Sequence, residues 1–321
     1  MTQTHEKSPS DISECELSVV IPVFNEESVV LVFLDYLRRV LDLIEKPYEV
    51  ILVDDGSSDQ TWDVVSRISW AELRVAKLAS NVGHQAAIDA GLSLARGAWI
   101  VTMDGDGQHP PEAIPRMIQV AESQGVDVVY GVRESRDLDK TGKRLVALAY
   151  YRVIRWLTNV PLTDSQADYR LMSSRVLTEV ERVPGDRVLR LLLPAIGFES
   201  ATVNYESQPR IGGNGRFGLT RQIALATSSI LNFSSKPLKL VAGLGTLISV
   251  AALLWLAYVL VAFLSNKSIE GWASVMAAVL FVGGLTLLSI SIIGSYIARI
   301  HDILKARPRY FIDRVSEYPK D

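Results

Sequence analysis

Acidic and amide side chains directly follow an apolar run in the middle of the sequence. Asp104-Gly105-Asp106-Gly107-Gln108 comes after Trp99–Met103 and before Pro110-Pro111. In an extended segment, residues that are two apart face the same side. Carboxylate and amide oxygens suit Mg²⁺ or Mn²⁺, which proteins hold with one or two carboxylates plus substrate phosphates. The pattern predicts a divalent metal site at Asp104, Asp106 and Gln108; an isolated acidic turn exposed to solvent is the alternative.

Acidic residues also follow two earlier apolar runs. Leu17–Ile21 is followed by Pro22-Val23-Phe24-Asn25-Glu26-Glu27, and Glu49–Val53 is followed by Asp54-Asp55-Gly56-Ser57. The second motif is compatible with a simple turn and helix cap. Two consecutive aspartates exceed what one cap requires, and a carboxylate at this position can accept hydrogen bonds from a ribose or a base. So many acids in one place would repel each other unless a cation or a donor-rich ligand lay among them.

These motifs need a scaffold that brings them together, and the pattern of residues 17–131 provides one. Short apolar runs rich in β-branched residues alternate with amphipathic stretches at helical spacing, such as Val29–Leu43 and Gln85–Ala95. This alternation predicts βαβ units, an α/β fold and a mainly parallel sheet. In such sheets ligands bind at the carboxyl ends of the strands, where all three acidic motifs lie. Residues 159–172 and 204–217 are predicted to be loops.

The composition excludes some classes of protein. The chain has 321 residues, 48% of them hydrophobic, and a formal net charge of −3. No basic excess points to nucleic-acid binding. Cys15 is the only cysteine, which excludes an internal disulfide framework and a cysteine-cluster zinc site.

Two long uncharged segments lie near the C-terminus. Residues 240–266 and 271–298 contain no Asp, Glu, Lys or Arg, and each exceeds the roughly 20 residues that cross a bilayer. They predict a transmembrane hairpin, with a pair of buried core helices as the alternative. Basic residues flank both outer ends (Lys236, Lys239, Arg299, Lys305, Arg307, Arg309 and Arg314). The positive-inside rule therefore places the N-terminal domain and both termini in the cytoplasm, in a multi-pass protein of the cell (inner or plasma) membrane.

The predicted organisation has five parts. They are a polar disordered tail over 1–16, an α/β domain over 17–217, an amphipathic helix at the membrane interface over 218–236, two membrane spans within 237–298 (about 240–265 and 272–297), and a cytoplasmic tail over 299–321. The first part has no apolar segment typical of a signal peptide.

Four motifs resemble a known family. VVIPVFNEE, VDDGSSDQT, NVGHQAAIDAGLSLARGAWIVTMDGDGQHPPE and DYRLMSS are similar to those of the family 2 glycosyltransferases, which have a GT-A fold. Within that family the chain resembles the polyprenyl-phosphate branch, which includes dolichol-phosphate mannose synthases and GtrB-type glucosyltransferases. The resemblance covers residues 17–235, and the C-terminal hairpin is similar to that of the GtrB-like members.

The resemblance implies an inverting transfer of a sugar to polyprenyl phosphate at the cytoplasmic membrane face. The expected donor is a nucleotide-sugar, with UDP-glucose as the first candidate, and the expected cofactor is Mg²⁺ or Mn²⁺. Asp168 would lie at the reacting centre with Arg170 nearby. The implied nucleotide-binding residues are Pro22, Phe24, Glu26, Asp55, Asp104 and Gly105. The implied phosphate-binding residues are Arg210, Arg216, Arg133 and Arg136, although relatives often have Lys after Ser or Thr where this chain has Arg216 after Gly215.

Other functions fit the sequence less well. A processive polysaccharide synthase shares the core fold, but the chain has no QxxRW motif and only two predicted spans. A nucleotidyltransferase would need an N-terminal GxGxR loop and no membrane hairpin. A non-catalytic membrane scaffold would leave the acidic motifs unexplained. The oligomeric state is left open, with a homo-oligomer among the options, and His84 and His109 are interpreted as structural residues.

Overall fold

A computed structural model describes most of the chain. The described residues are 15–134, 166–183, 187–208, 271–304 and 308–317, with single positions between 238 and 258. The chain divides into two compact units. The described residues up to 208 and from 308 onward form the first unit, and those from 238 to 304 belong to the second.

Among its described residues, the first unit is built on an eight-stranded sheet, which confirms the predicted α/β class. Its strands are β1 (Leu17–Val23), β2 (Tyr48–Asp54), β3 (Leu73–Leu78), β4 (Trp99–Thr102), β5 (Val128–Arg133), β6 (Gln166–Ser173), β7 (Ser200–Tyr205) and β8 (Ile312–Glu317). Their spatial order is β7-β5-β6-β4-β1-β2-β3-β8. β6 and β8 run antiparallel to their neighbours, and the other pairs are parallel. The carboxyl ends of β1, β2, β3, β4 and β5 therefore lie together, at what we call the carboxyl edge.

Helices connect the strands of this unit. They are α1 (Val30–Leu41), α2 (Thr61–Val65), α3 (His84–Leu94), α4 (Ala113–Gln124), α5 (Ser174–Arg182) and α6 (Leu189–Ile196). α1 buries residues 30, 33, 34, 37 and 41, which is the spacing of one apolar helix face. α3 packs closely on the sheet because residue 91 is glycine: a Cβ there would lie 2.4 Å from Val20 Cγ1.

The structure corrects the loop prediction for residues 159–172. Residues 166–173 form β6, which lies between β4 and β5 and pairs Arg170 with Thr102 and with Tyr130. The strand was missed because Asp168 and Arg170 make the segment look polar, although residues 169–172 are all buried, the charged Arg170 among them. Since β6 runs antiparallel to β4, it begins at the carboxyl edge, where β4 ends.

Part of the predicted C-terminal tail also belongs to the sheet. Residues 312–317 form β8, which pairs with β3 from Arg74 opposite Glu317 to Leu78 opposite Ile312. The Arg74 Nε lies 2.5 Å from Glu317 Oε1 and the Arg74 Nη1 lies 3.9 Å from Glu49 Oε2. Charged side chains on an edge strand discourage pairing with other chains, and they also hide the apolar alternation by which a strand is recognised.

The second unit contains α7 (Trp272–Leu304). Within the part of the chain that the structure describes, α7 is the one helix with the length and composition needed to cross a membrane, over Phe281–Ala298. The described positions between 238 and 258 are helical. The rest of the first predicted span and the predicted interfacial helix at 218–236 lie outside the described residues.

Candidate active site

Two loops at the carboxyl edge hold each other in place through reciprocal hydrogen bonds. After β1, the Asn25 N–H donates to Ser57 Oγ at 2.9 Å, and the Glu26 N–H donates to Thr61 Oγ1 at 3.0 Å. After β2, the Ser58 N–H donates to Asn25 Oδ1 at 2.9 Å. Asn25 adopts a left-handed φ of 53°, and these bonds offset the strain of that conformation. The predicted nucleotide-binding residues of this loop are thus placed at the carboxyl edge, with Phe24 42% exposed.

The two consecutive aspartates at the end of β2 have structural partners. Asp55 accepts the Val82 N–H at 2.8 Å on one oxygen and the Gly83 N–H at 2.9 Å on the other. Asp54 is fully buried and accepts the Ser57 N–H at 2.9 Å. Burial raises the pKa of Asp55, and the two backbone N–H groups oppose that rise. Asp55 therefore fixes the loop that leads into α3, and its predicted contact with a nucleotide remains a prediction.

The predicted metal-binding turn follows β4. The Asp104 N–H donates to His109 Nδ1 at 3.0 Å, and the Gln108 N–H donates to Asp106 Oδ1 at 3.0 Å. The turn lies against β1 because residue 105 is glycine: a Cβ there would be 2.8 Å from Val23 Cγ1. Asp104 Oδ1 is a buried carboxylate oxygen that accepts no hydrogen bond, and burial raises the pKa of this group.

These donors fit a divalent cation. Two carboxylates and an amide within five residues supply hard oxygen ligands. Asp104 Oδ1 accepts no hydrogen bond and lies 3.3 Å from His84 Nε2, and a buried carboxylate oxygen in this state is the kind of group that a cation would satisfy. Among the described residues, no three His, Cys, Asp or Glu side chains form a complete cage. The turn therefore suits an ion such as Mg²⁺ or Mn²⁺ that takes its other ligands from water or substrate phosphates.

Asp168 lies beside this turn because β6 begins where β4 ends. The Thr102 hydroxyl donates to the Asp168 carbonyl at 2.9 Å. The Arg170 guanidinium, 1% exposed, donates from Nη2 to Asp168 Oδ1. Burial alone would raise the pKa of Asp168, but the charge of Arg170, followed by contact with His84, holds it well below its usual range. Asp168 is thus a fixed, ionised carboxylate, and Arg170 contacts that carboxylate from the protein interior.

His84, interpreted as structural from the sequence, lies between the two acids. As the first residue of α3, it places Nε2 3.3 Å from Asp104 Oδ1 and 3.7 Å from Asp168 Oδ2. Burial lowers the pKa of His84, but contact with Asp168 and the charge of Asp104 outweigh that effect and raise it. The signal was available: His84 follows β3, and the rule that ligands meet strand ends applies to β3 as well.

Other predicted phosphate-binding residues are only partly described. Arg133 is the last residue of β5, is half-buried, and has an Nε that is buried without a hydrogen-bond partner. Arg136, Arg210 and Arg216 lie outside the described residues. Sequence reasoning did not single out Arg190 of α6, whose charge contributes to the low pKa of Asp168.

The fold and the site together define a class of protein. A mainly parallel α/β sheet with acidic loops at its carboxyl edge is typical of proteins that bind their ligands at that edge. Residues 18–180 match the family described as Glycosyl transferase family 2, and residues 236–300 match the GtrB C-terminal hairpin. The chain belongs to glycosyl transferase family 2, so the predicted resemblance and GT-A fold are confirmed.

Similar chains extend over nearly the whole sequence. The uncharacterized glycosyltransferase YkoT of Bacillus subtilis is 37% identical over 94% of this chain and 92% of its own length. A bactoprenol glucosyl transferase of Shigella phage SfX is 30% identical over 92% of this chain and 98% of that protein. A prophage bactoprenol glucosyl transferase homolog of Escherichia coli is 29% identical over 94% of this chain and 100% of that protein.

Proposed function

We propose that this glycosyltransferase moves a sugar, with glucose as the first candidate, from a UDP-linked donor to polyprenyl phosphate at the cytoplasmic face of the cell membrane. The observation that carries the proposal is the convergence of the Asp104–Gln108 turn with Asp168 at the carboxyl edge. The names of the Shigella phage and E. coli relatives support the lipid acceptor and the sugar.

The donor would lie along the carboxyl edge. We expect Pro22, Phe24, Glu26 and Asp55 on the nucleotide side, and Asp104 with Gly105 near the diphosphate. Asp104, Asp106 and Gln108 would hold Mg²⁺ or Mn²⁺. When bound, such an ion supplies a Lewis acid that neutralises charge developing on the departing diphosphate.

The acceptor would need little activation. A phosphate monoester has a second pKa of about 6 and is already anionic near neutral pH. Its oxygen would form a bond to the anomeric carbon while the bond from that carbon to the diphosphate oxygen breaks, and the electron pair would leave with the nucleoside diphosphate. Attack opposite the leaving group inverts the anomeric configuration.

The environment of Asp168 favours one of three roles that the sequence does not separate: general base, stabiliser of positive charge on the sugar, or residue that orients Arg170. A carboxylate whose pKa lies well below its usual range is a poor proton acceptor compared with the phosphate itself. An ionised carboxylate fixed beside the reacting carbon can instead stabilise positive charge on the sugar. Arg170 would keep Asp168 ionised and oriented, and it would not contact the substrate directly.

The C-terminal hairpin gives the proposed acceptor a physical setting. A polyprenyl chain remains in the bilayer while its phosphate lies at the surface, so a membrane-anchored enzyme meets it in a two-dimensional search at a raised effective concentration. The match of residues 236–300 to the GtrB C-terminal hairpin and the apolar surface of α7 support this anchoring. The basic residues that flank the apolar segments support the cytoplasmic orientation.

The test is transfer of a labelled sugar. The full-length protein in detergent, supplied with Mn²⁺, polyprenyl phosphate and radiolabelled UDP-glucose, should yield label that extracts into organic solvent. GDP-mannose and UDP-N-acetylglucosamine, tested in parallel, identify the donor. Asp106→Ala should abolish transfer, whereas Asp313→Ala, an exposed acid on the distant strand β8, should not. Label in a growing water-insoluble polymer would favour a processive synthase, and no transfer from any donor would refute the proposal.

A further inference from the structure

His109 has a specific environment next to the metal-binding turn. Its side chain is nearly fully buried, and its ring stacks on Tyr169 with centroids 5.0 Å apart and planes 16° apart. Tyr205 packs edge-on against the same ring at 5.9 Å. Because Nδ1 accepts the Asp104 N–H at 3.0 Å, that nitrogen carries no proton and is not free to bind a metal. The imidazole is therefore neutral, with its proton on Nε2.

Tyr169 makes a second connection to the same turn. Its hydroxyl donates to the Pro110 carbonyl at 2.8 Å, and its side chain is fully buried. Tyr169 also follows Asp168 directly in β6. One aromatic side chain from β6 therefore contacts the segment after β4 at two neighbouring residues, through ring stacking on His109 and through a hydrogen bond to Pro110.

We infer that His109 and Tyr169 are positioning residues, which together we call the His109 brace, and that they fix the Asp104–Gln108 turn relative to Asp168. The inference rests on the proposed function, in which the turn holds a cation and Asp168 faces the sugar. Catalytic groups must be held to within about 0.5 Å of their productive geometry, and a misplacement of about 1 Å can reduce the rate roughly 100-fold.

Packing alone does not explain an imidazole at this position. A phenylalanine would fill the same space beside Tyr169 and Tyr205, but it would leave the Asp104 N–H without an acceptor. An unsatisfied buried donor is unfavourable. Here that donor would be the backbone N–H of Asp104, one of the proposed metal ligands. The acceptor nitrogen, rather than the ring, is the feature that connects His109 to the site.

Three variants separate the hydrogen bonds from the packing. His109→Phe keeps a ring and removes the acceptor, His109→Asn offers an amide oxygen near the position of Nδ1 and removes the ring, and Tyr169→Phe removes only the hydroxyl. Tyr48→Phe is the matched control, because it also loses a tyrosine hydrogen bond, to the exposed Asp42, at the opposite end of the strands.

Mn²⁺ affinity in the presence of UDP, measured by electron paramagnetic resonance, is the readout that a purely structural role would not change. We expect His109→Phe to weaken Mn²⁺ binding by at least about 10-fold and to lower kcat similarly. His109→Asn should recover Mn²⁺ affinity to within about 3-fold of the wild type, even if it melts at a lower temperature. Tyr169→Phe should lower kcat with little change in the KM for the donor.

The outcomes are distinguishable. If His109→Phe binds Mn²⁺ as the wild type does and only its melting temperature falls, as in Tyr48→Phe, the brace is refuted while the proposed function stands. If His109→Phe does not fold, an unchanged kcat and Mn²⁺ affinity in Tyr169→Phe refutes the brace. A wild-type protein that transfers sugar but binds no Mn²⁺ with UDP would refute the metal assignment and the brace together.

Discussion

A buried carboxylate on α3 connects three distant parts of the chain, and its removal should be costly. Asp89 is 4% exposed. Its Oδ2 lies 3.0 Å from Arg309 Nη1, just before β8, and both its oxygens lie 3.5 Å from Arg187 Nη1, just before α6. The Tyr310 hydroxyl also donates to the Asp89 carbonyl at 3.4 Å. We call these residues the Asp89 clamp.

The expected cost follows from what each substitution leaves behind. Breaking a buried ion pair typically costs about 3–5 kcal/mol. In Asp89→Asn the two arginines lose their counter-charge, but each side chain is 24% exposed and can turn toward water. We therefore expect the lower end of that range, about 3 kcal/mol. For a domain of this size each kcal/mol shifts the melting temperature by about 2–4 °C, which gives a decrease of about 6–12 °C.

Arg309→Ala should cost less, because Asp89 keeps Arg187, which is also held by the Val183 and Glu181 carbonyls at 3.1 and 2.7 Å. The double variant Asp89→Asn/Arg309→Ala should then lose less stability than the two single variants lose together, because contacting residues couple by about 0.5–3 kcal/mol.

The assay is thermal unfolding of the full-length protein in detergent. Arg314→Ala removes an exposed pair with Asp313 on β8 and should leave the melting temperature unchanged. If the melting temperature of Asp89→Asn equals that of Arg314→Ala, the Asp89 clamp is refuted.

Three further predictions concern the site and its loops. Asp168→Asn should lower kcat by about 10²–10³-fold through lost charge stabilisation, with donor affinity preserved; a loss confined to KM would contradict this role. Chelation by EDTA should stop transfer without changing the melting temperature, and added Mn²⁺ or Mg²⁺ should restore it. Asp59→Ala should destabilise the protein by about 1 kcal/mol at pH 7, because Asp59 accepts the Thr61 N–H and hydroxyl at 3.0 and 2.6 Å. Burial opposes ionisation of Asp59, but these hydrogen bonds lower its pKa in the folded protein. The stability that Asp59 contributes is therefore fully present above its unfolded pKa of about 3.9. As the pH falls below that value, the difference in melting temperature between the wild type and Asp59→Ala should shrink.

The strands that were predictable from the sequence are those that appear in it as apolar runs. β1 and β2 are nearly continuous apolar runs because helices cover both faces of a parallel sheet, and each lies within two residues of its predicted bounds. β6 and β8 were not predicted, although one is buried and the other is exposed. β6 is buried but carries the Asp168–Arg170 ion pair, whereas β8 is an edge strand that is largely exposed. In both strands, charged residues hide the apolar pattern that indicates a strand. Only the pairing of β6 with β4 and of β8 with β3 identifies them.

The location of the candidate site was more predictable than the role of each acidic residue in it. Reasoning from strand ends placed Asp104 and Asp106 at the carboxyl edge, because the carboxyl ends of parallel strands must meet. Asp168 was placed at the reacting centre by the family resemblance alone. The same reasoning treated all the neighbouring acids as one repelling group that needs a cation or a donor-rich ligand. In the structure, Asp54, Asp55 and Asp59 each accept a hydrogen bond from at least one backbone N–H group, and Asp168 pairs with the charged Arg170. Among the described residues, two of these acids keep a buried oxygen that accepts no hydrogen bond. They are the fully buried Asp54, through Oδ2, and Asp104, through Oδ1, which lies 3.3 Å from His84 Nε2. Which carboxylate oxygens are satisfied depends on which N–H groups the loops present, and the order of residue types along the chain does not encode that. The Asp104–Gln108 turn remains the better cation site because Asp106 and Gln108 add further hard oxygen ligands beside Asp104.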